Sequence, residues 1–348
     1  MALSNALLGT QWPLIQAPMA GVQGHALAAA VCQAGGLGSL PCATLSVDAM
    51  VQELTALRAQ TNGPFNVNFF CHQQPAPDLA REQAWRAALQ PYFAELGLDP
   101  SAVSYGPGRL PFSAEVAQAL APFRPAVVSF HFGLPAAELL AQVKSWGAVV
   151  LSSATTVEEA LWLQEHGADA IIAQGLEAGG HRGMFLSDEL TRQLGTWALL
   201  PQIVDAVRVP VIAAGGIADA RGVAAAIAMG AAGVQVGTAY LLSHEASTSA
   251  LHRAALQSPE AIHTALTRVF TGRPARSMLN RLMRELGPLS PVAPAFPLAA
   301  NALAPLRAQA EAQGRADFTP LWAGQNVRGC RVASAAEITQ SLAAGFPA

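Results

Sequence analysis

The sequence predicts an α/β protein, a (β/α)8 TIM barrel with a mainly helical lid or insertion domain. Three observations lead to this fold class. Eight short apolar runs recur along the chain, Ala-rich amphipathic stretches separate most of them, and no GxGxxG turn follows the first run. Parallel strands under crossover helices give this alternation, whereas an open doubly wound sheet usually has fewer strands and a glycine-rich first turn.

The eight predicted strands are rich in Val, Ile and Phe, as expected for strands that are covered on both faces. They span residues 14–19, 36–41, 64–70, 126–132, 148–154, 170–175, 210–216 and 233–241. Amphipathic patterns predict helices over residues 24–34, 47–59, 79–96, 135–146, 157–166, 196–207 and 219–229. Thr156 and Asp219 stand where N-caps are expected. Gly147, Gly167 and Gly230 follow predicted helices, where glycine commonly ends a helix.

The chain divides into three predicted segments. Residues 1–241 form the barrel, and a long proline-rich insertion at 71–125 is expected to cover its mouth. Residues 242–317 are expected to form a helical lid or substrate domain without further strands. Residues 318–348 are expected to return to the barrel.

Composition points to a small-molecule ligand. Of the 348 residues, 52% are hydrophobic and only 12% are charged, which is ample for a two-layer core. The formal net charge of -3 and the scattered arginines argue against nucleic acid. The four cysteines form no CxxC pair, and no segment has the pattern of a signal peptide or a membrane span. We therefore expect a cytoplasmic protein that does not bind membranes. We expect it to be a monomer or homodimer, although the sequence does not decide between the two.

Two glycine sites stand where barrels of this class commonly hold a phosphate, after the seventh and eighth strands. Gly215 and Gly216 end the seventh predicted strand, and Gly237 and Thr238 lie in the eighth. Glycines let backbone N–H groups approach an anion, and the helix that begins at Asp219 adds a favourable dipole. One Gly-Gly pair would suit a simple tight turn equally well, but two such sites favour an anion cradle.

A glycine-rich loop at 174–183 follows the sixth predicted strand and carries His181. A neutral imidazole there could abstract a proton from carbon, and a cationic one could hold an anion. The alternative is a solvent-facing loop histidine. The position of His181 in a loop that follows a barrel strand favours a functional role.

Other polar residues are expected at the same rim. His131 ends the fourth predicted strand, and Asn68 in the third is an amide that needs a buried partner, either a flat ligand or a neighbouring loop. Gln174, Tyr105 and Tyr240 complete a set that could converge on a flat ligand. No HExxH or HxxEH motif occurs, so no metal is expected.

Four blocks of sequence together resemble the nitronate monooxygenases, formerly called 2-nitropropane dioxygenases, and more closely their class I branch. These blocks are residues 16–21, 129–135, 152–183 and 213–240. The resemblance covers nearly the whole chain. It implies an FMN-dependent oxidoreductase that converts alkyl nitronates, such as propionate 3-nitronate, with O2 to a carbonyl compound and nitrite.

The resemblance also implies roles for individual residues. The catalytic histidine of the family matches His181, and His131, Tyr105 and Tyr240 would line the substrate side. The residues that would contact FMN are Ala17, Pro18, Met19, Asn68, Gln174, Gly179, Gly180, Gly215, Gly216, Gln235, Val236, Gly237 and Thr238. The chain departs from the family pattern in having no tyrosine after Tyr240, and Phe296 occupies the lid region.

Two other functions fit the sequence. One is an NAD(P)H-dependent FMN reductase of quinones or enoyl thioesters, because barrels bind NADH without a GxGxxG motif. The other is a flavin-binding module without turnover, since a fold alone does not imply catalysis.

Overall fold

The computed structural model describes residues 7–103, 106 and 108–347. Eleven strands are defined within these residues: β1 (Leu14–Gln16), β2 (Gly38–Pro41), β3 (Phe65–Phe70), β4 (Val127–His131), β5 (Val149–Ala154), β6 (Ala170–Gln174), β7 (Gly180–His181), β8 (Val211–Ala214), β9 (Gly233–Val236), β10 (Thr264–Thr267) and β11 (Ala275–Met278). Eight of them form one parallel sheet in the order β1-β9-β8-β6-β5-β4-β3-β2. A parallel bridge between Ile15 and Leu37 joins the two edges, so the sheet is a nearly closed barrel. The predicted fold class is confirmed.

Helices cover the barrel between most of its strands. They are α1 (His25–Gln33), α2 (Val47–Gln60), α3 (Leu79–Glu95), α4 (Ala114–Leu120), α5 (Ala137–Ser145), α6 (Val157–Glu165), α7 (Thr196–Ala206), α8 (Ala220–Ala228), α9 (Ala250–Leu256), α10 (Arg281–Leu286), α11 (Ala299–Ala312) and α12 (Ala335–Ala343). The predicted N-caps are confirmed, because the Thr156 side chain accepts from Glu159 N and the Asp219 side chain from Arg221 N and Gly222 N.

The barrel interior is filled by apolar side chains that alternate along the strands. Ile15, Leu151, Ile172 and Ile212 point inward and form one buried cluster with Leu37. The opposite faces of the same strands pack against the surrounding helices in two larger clusters. Because the interior is packed, the open space for a ligand lies at an end of the barrel.

A second core joins the insertion to the segment after residue 264. Trp85 and Phe93 of α3 pack with Leu303 of α11 and with Phe318. The indole Nε1 of Trp85 donates to the carbonyl of Ala299 at 3.1 Å. The insertion and the lid therefore share one hydrophobic core.

Two details of the sequence prediction are wrong. The segment 242–317 is expected to lack strands, but β10 and β11 form an antiparallel sheet with β7. These strands have four residues each, too short for periodicity to reveal, and polar residues such as Arg276 interrupt their apolar character. The predicted eighth barrel strand, 233–241, ends at Val236, and Thr238–Tyr240 forms a 3₁₀ turn.

The last described helix, α12, packs on α1 and α8 at the outside of the barrel. All four cysteines are unpaired. Among the described residues, no helix is both long enough and apolar enough to span a bilayer.

The shared core predicts a large effect of Trp85→Ala on stability. Trp85 is fully buried, so its removal should lower the free energy of unfolding by about 3–5 kcal/mol. Trp197→Ala is the matched control, because Trp197 on α7 is 42% exposed and its removal should change the free energy of unfolding by less than about 1 kcal/mol. Urea unfolding followed by circular dichroism measures both. Equal midpoints for the two variants would contradict the shared core.

Candidate active site

A pocket opens at the carboxyl ends of the barrel strands. Fourteen of the predicted site residues line it: Ala17, Pro18, Met19, Asn68, His131, Gln174, Gly179, Gly180, His181, Gly215, Gly216, Gln235, Gly237 and Thr238. The parallel register brings them together, since strand ends that are adjacent in the sheet meet at one rim.

Two of the described residues that were predicted for the site, Tyr240 and Val236, do not line the pocket. Tyr240 is fully buried between the barrel and α12, where its hydroxyl lies 2.9 Å from Thr339 Oγ1, so the expectation that it lines the substrate side is wrong. The Tyr240 side chain points away from the pocket because the chain leaves the strand and forms a 3₁₀ helix that begins at Thr238. The Val236 side chain lies in the core, and only its carbonyl approaches the rim by accepting from Ala17 N at 2.8 Å. Tyr105 lies outside the described residues.

The loops after β8 and β9 need glycine. Gly215 and Gly216 have φ of +116° and +71°, a region that L-residues with a side chain rarely adopt. A β-carbon on Gly215 would lie 2.8 Å from Thr196 Oγ1, and one on Gly237 would lie 3.3 Å from Ala17 Cβ. A side chain would therefore be strained or crowded at both loops, and Gly215, Gly216 and Gly237 all line the pocket.

Glu177 is an acidic residue at the glycine-lined end of the pocket, and no local sequence signal marks its role. Its carboxylate accepts from Thr196 N at 2.8 Å and from Thr196 Oγ1 at 2.8 Å, so it satisfies the first turn of α7. The nearby Arg276 donates to the carbonyl of Leu176 at 3.0 Å. The N-terminus of α8, which follows the Gly215–Gly216 loop, is capped by the Asp219 side chain, so the contribution of the α8 dipole to anion binding stays a prediction.

The 174–183 loop is held by a buried guanidinium. Arg182 is fully buried and donates to the carbonyls of Gly175 at 2.6 Å and Gln174 at 2.7 Å and to Gln193 Oε1 at 3.0 Å. The Gln174 side chain donates to the carbonyl of His181 at 2.9 Å and accepts from Gly183 N at 2.7 Å. Gln174 thus supports the loop that carries His181, in addition to lining the pocket.

His181 lies on β7, paired with Ala275 of β11. Its Nε2 lies 2.9 Å from Thr271 Oγ1, and the rings of Phe132, Phe296 and Trp322 surround it with centroid distances of 5.9, 5.3 and 5.5 Å. Burial, and then the positive charge of Arg109, hold the pKa of His181 well below its usual value. The imidazole is therefore neutral at neutral pH.

His131 supports the same loop from β4. Its Nε2 donates to the carbonyl of His181 at 3.1 Å, so its Nδ1 accepts from the Ser153 hydroxyl at 3.1 Å. Burial lowers the pKa of His131 to about 4. It too is neutral, and its hydrogen bonds are satisfied within the protein.

Several residues in the site have no local sequence signal. Trp322, Gly324 and Asn326 line the pocket from the C-terminal segment. Gly324 N donates to Thr238 Oγ1 at 2.9 Å, and Asn326 Nδ2 donates to the carbonyl of Gly216 at 2.8 Å. These contacts join residues 86 and 110 positions apart, so only the fold reveals them.

No group of three or more His, Cys, Asp or Glu residues within the described part of the chain is arranged to hold a metal ion.

The chain is similar to known proteins over nearly its whole length. A family model described as nitronate monooxygenase matches residues 2–345. A nitronate monooxygenase of Paraburkholderia phytofirmans is 45% identical over 341 residues, covering 97% of this chain and 92% of the relative. One from Pseudomonas aeruginosa is 43% identical over 345 residues, with 97% and 96% covered. The solved structure of a nitroalkane oxidase from Streptomyces ansochromogenes has a TM-score of 0.88 and 40% identity, covering 99% of this chain and 97% of that chain. These similarities confirm the resemblance found in the sequence.

The low pKa of His131 predicts that the protein loses stability in mild acid. In the unfolded chain His131 takes up a proton near pH 6.5, whereas in the native protein it takes up a proton only near pH 4. The free energy of unfolding therefore falls as the pH falls through this window. The contribution of His131 approaches about 3 kcal/mol at the acid end. Urea unfolding of wild type and His131→Asn from pH 8 to pH 4.5 measures it.

At pH 8 both proteins lack this charge, so the difference between them reports packing alone. Below pH 6.5 the two curves should converge, because the variant no longer carries the group. Curves that stay parallel would contradict the assignment.

Proposed function

Because the chain belongs to the nitronate monooxygenase family, we propose that it oxidises alkyl nitronates, with FMN as its cofactor and O2 as the electron acceptor. Propionate 3-nitronate is the model substrate, and the products are a carbonyl compound and nitrite. The observation that carries the proposal is one pocket that combines a neutral, desolvated His181 with the glycine-lined loops after β8 and β9.

The donor set of the pocket fits FMN. The Gly215–Gly216 and Gly237–Thr238 loops suit a phosphate, because both line the pocket and glycines let backbone N–H groups approach an anion closely. Gln235 Oε1 is buried without a hydrogen-bond partner among the described residues, and a ring N–H of a flavin would satisfy it. When bound, FMN supplies the redox centre that takes electrons from the nitronate and delivers them to O2.

We propose that His181 binds and orients the reacting group. With Nε2 beside Thr271, Nδ1 is the ring nitrogen left for the substrate. A neutral imidazole can donate to a nitronate oxygen or accept a proton from a carbon acid. An arriving anion would raise the pKa of His181, so proton uptake is coupled to substrate binding.

We propose that aromatic side chains around His181 form a wall that excludes water from this end of the pocket. Phe132, Phe296 and Trp322 surround the imidazole, and Phe296 stands in the lid where the sequence has no tyrosine. An apolar wall strengthens the interaction of His181 with a small anion. We propose that the segment 242–317 and the insertion 71–125 act together as this lid, on the barrel of 1–241 and the returning segment 318–348.

We further propose that the enzyme is a cytoplasmic monomer or homodimer. The four unpaired cysteines support a reducing compartment.

The proposed reaction predicts which reductant bleaches the flavin. Anaerobic mixing of the purified yellow protein with propionate 3-nitronate should reduce the flavin, followed by its absorbance in the visible band, and air should restore the colour with release of nitrite. NADH should leave the spectrum unchanged. Bleaching by NADH and not by the nitronate would favour the reductase. An oxidised flavin with both would favour a binding module without turnover.

The role of His181 predicts that His181→Asn keeps its FMN and loses turnover. Loss of a positioned imidazole should lower kcat/KM for the nitronate by about a hundredfold or more. His166→Asn is the control, because His166 is exposed at the end of α6 and does not line the pocket. Oxygen consumption measures turnover, and the flavin-to-protein absorbance ratio measures FMN. Wild-type activity in His181→Asn would remove the histidine from this role.

A further inference from the structure

Arg109 is a cation in the pocket whose guanidinium has no protein acceptor among the described residues. It comes from the insertion and lines the pocket with His131, His181 and Phe70. Within the described ranges, no acid or carbonyl lies within hydrogen-bonding distance of its guanidinium, and the other charge that acts on it is a second cation, Arg307. Burial lowers the pKa of Arg109. A desolvated guanidinium of this kind is unfavourable unless an anion joins it.

The backbone around Arg109 is held firmly. His72 Nε2 donates to the Arg109 carbonyl at 3.0 Å, and Gln74 Nε2 donates to the same oxygen at 2.6 Å. The ring of His72 is buried and packs edge-on against Phe296 at 4.8 Å. Two side chains therefore fix the main chain at this position and leave the guanidinium free to meet a ligand.

Two other charged groups near the site differ from Arg109. Arg273 does not line the pocket: it donates to the carbonyl of Met184 and its Cζ lies 4.1 Å from the Phe132 ring centroid, while its buried Nε has no partner among the described residues. The Glu177 carboxylate lies at the opposite, glycine-lined end and is bonded to Thr196. Arg109 is thus the cation that an anionic ligand beside His181 can bind.

We propose that Arg109 determines substrate specificity by binding a planar two-oxygen anion on the substrate. The fork of a guanidinium matches the two oxygens of such a group bidentately. Two groups have this chemistry, the nitronate itself and a carboxylate at the other end of the substrate. The inference rests on the proposed function and adds to it the residue that recognises charge.

Arg109→Gln tests this with a matched pair of substrates. Propionate 3-nitronate and propyl-1-nitronate have the same carbon chain length, but only the first carries a carboxylate. Loss of a charged hydrogen-bond pair should raise KM about ten- to a hundredfold, with a smaller change in kcat. A rise for propionate 3-nitronate alone identifies the carboxylate as the partner, and a rise for both identifies the nitronate.

Two further variants complete the experiment. Arg109→Lys keeps the charge without the fork, so its KM should lie between those of wild type and Arg109→Gln. Arg208→Gln removes an exposed arginine just before β8, at the far end of the barrel, and should leave both KM values unchanged. The proposal is overturned if Arg109→Gln changes neither KM by more than threefold, or if it loses FMN, which would make Arg109 a cofactor or structural residue.

A binding measurement separates this inference from the proposed function. Calorimetric titration of the yellow protein with 3-nitropropionate at pH 7, against 1-nitropropane, reports anion recognition without turnover. Wild type should bind the carboxylate, and Arg109→Gln should bind it at least tenfold more weakly. This result would stand even if no nitronate reduced the flavin. Equal binding by both proteins would overturn the assignment of a carboxylate partner.

Discussion

The site depends on one buried cation, the guanidinium of Arg182. It donates to the carbonyls of Gln174 and Gly175 and to the Gln193 side chain, so the chain doubles back after β6. The turn brings β7 beside β11 and places the imidazole of His181 next to Thr271. A buried guanidinium without its acceptors would be strongly unfavourable, and this penalty fixes one loop conformation. The location of the imidazole is therefore a consequence of satisfying this charge.

Desolvation then sets the chemistry of the imidazole. An exposed histidine near pH 7 is a mixture of charged and neutral forms, whereas the aromatic wall and the charge of Arg109 favour the neutral form of His181. The same cation that disfavours a proton on His181 attracts an anionic substrate. Once that anion is bound, its charge offsets Arg109 and protonation becomes easier. The pocket thus couples the arrival of substrate charge to the proton affinity of His181.

Most of the barrel and many of the residues that line the site could be predicted from sequence. Strand and cap positions follow local rules, and Gly215 and Gly216 stand out because a glycine pair at the end of a barrel strand marks a close backbone approach. The position of Tyr240 could not be predicted, because the strand ends at Val236 and nothing local marks that end. Thr271 and Asn326 could not be found, since they act on loops that are distant in sequence. Local sequence patterns predict the strands and helices, whereas the packing between these elements determines which side chains come into contact.

The barrel and the segments that share the Trp85 core contribute different parts of the site. The residues that fit a cofactor come mainly from barrel strand ends, whereas Arg109 comes from the insertion and Phe296 from the lid, the two segments that share the Trp85 core. These two segments also contact each other directly, because Asn301 Nδ2 donates to the carbonyl of Gly106 at 2.9 Å. Substitutions there can reshape the substrate side without disturbing the glycine loops. The absence of lid tyrosines in this chain is therefore compatible with an intact cofactor site, and the difference falls on substrate choice.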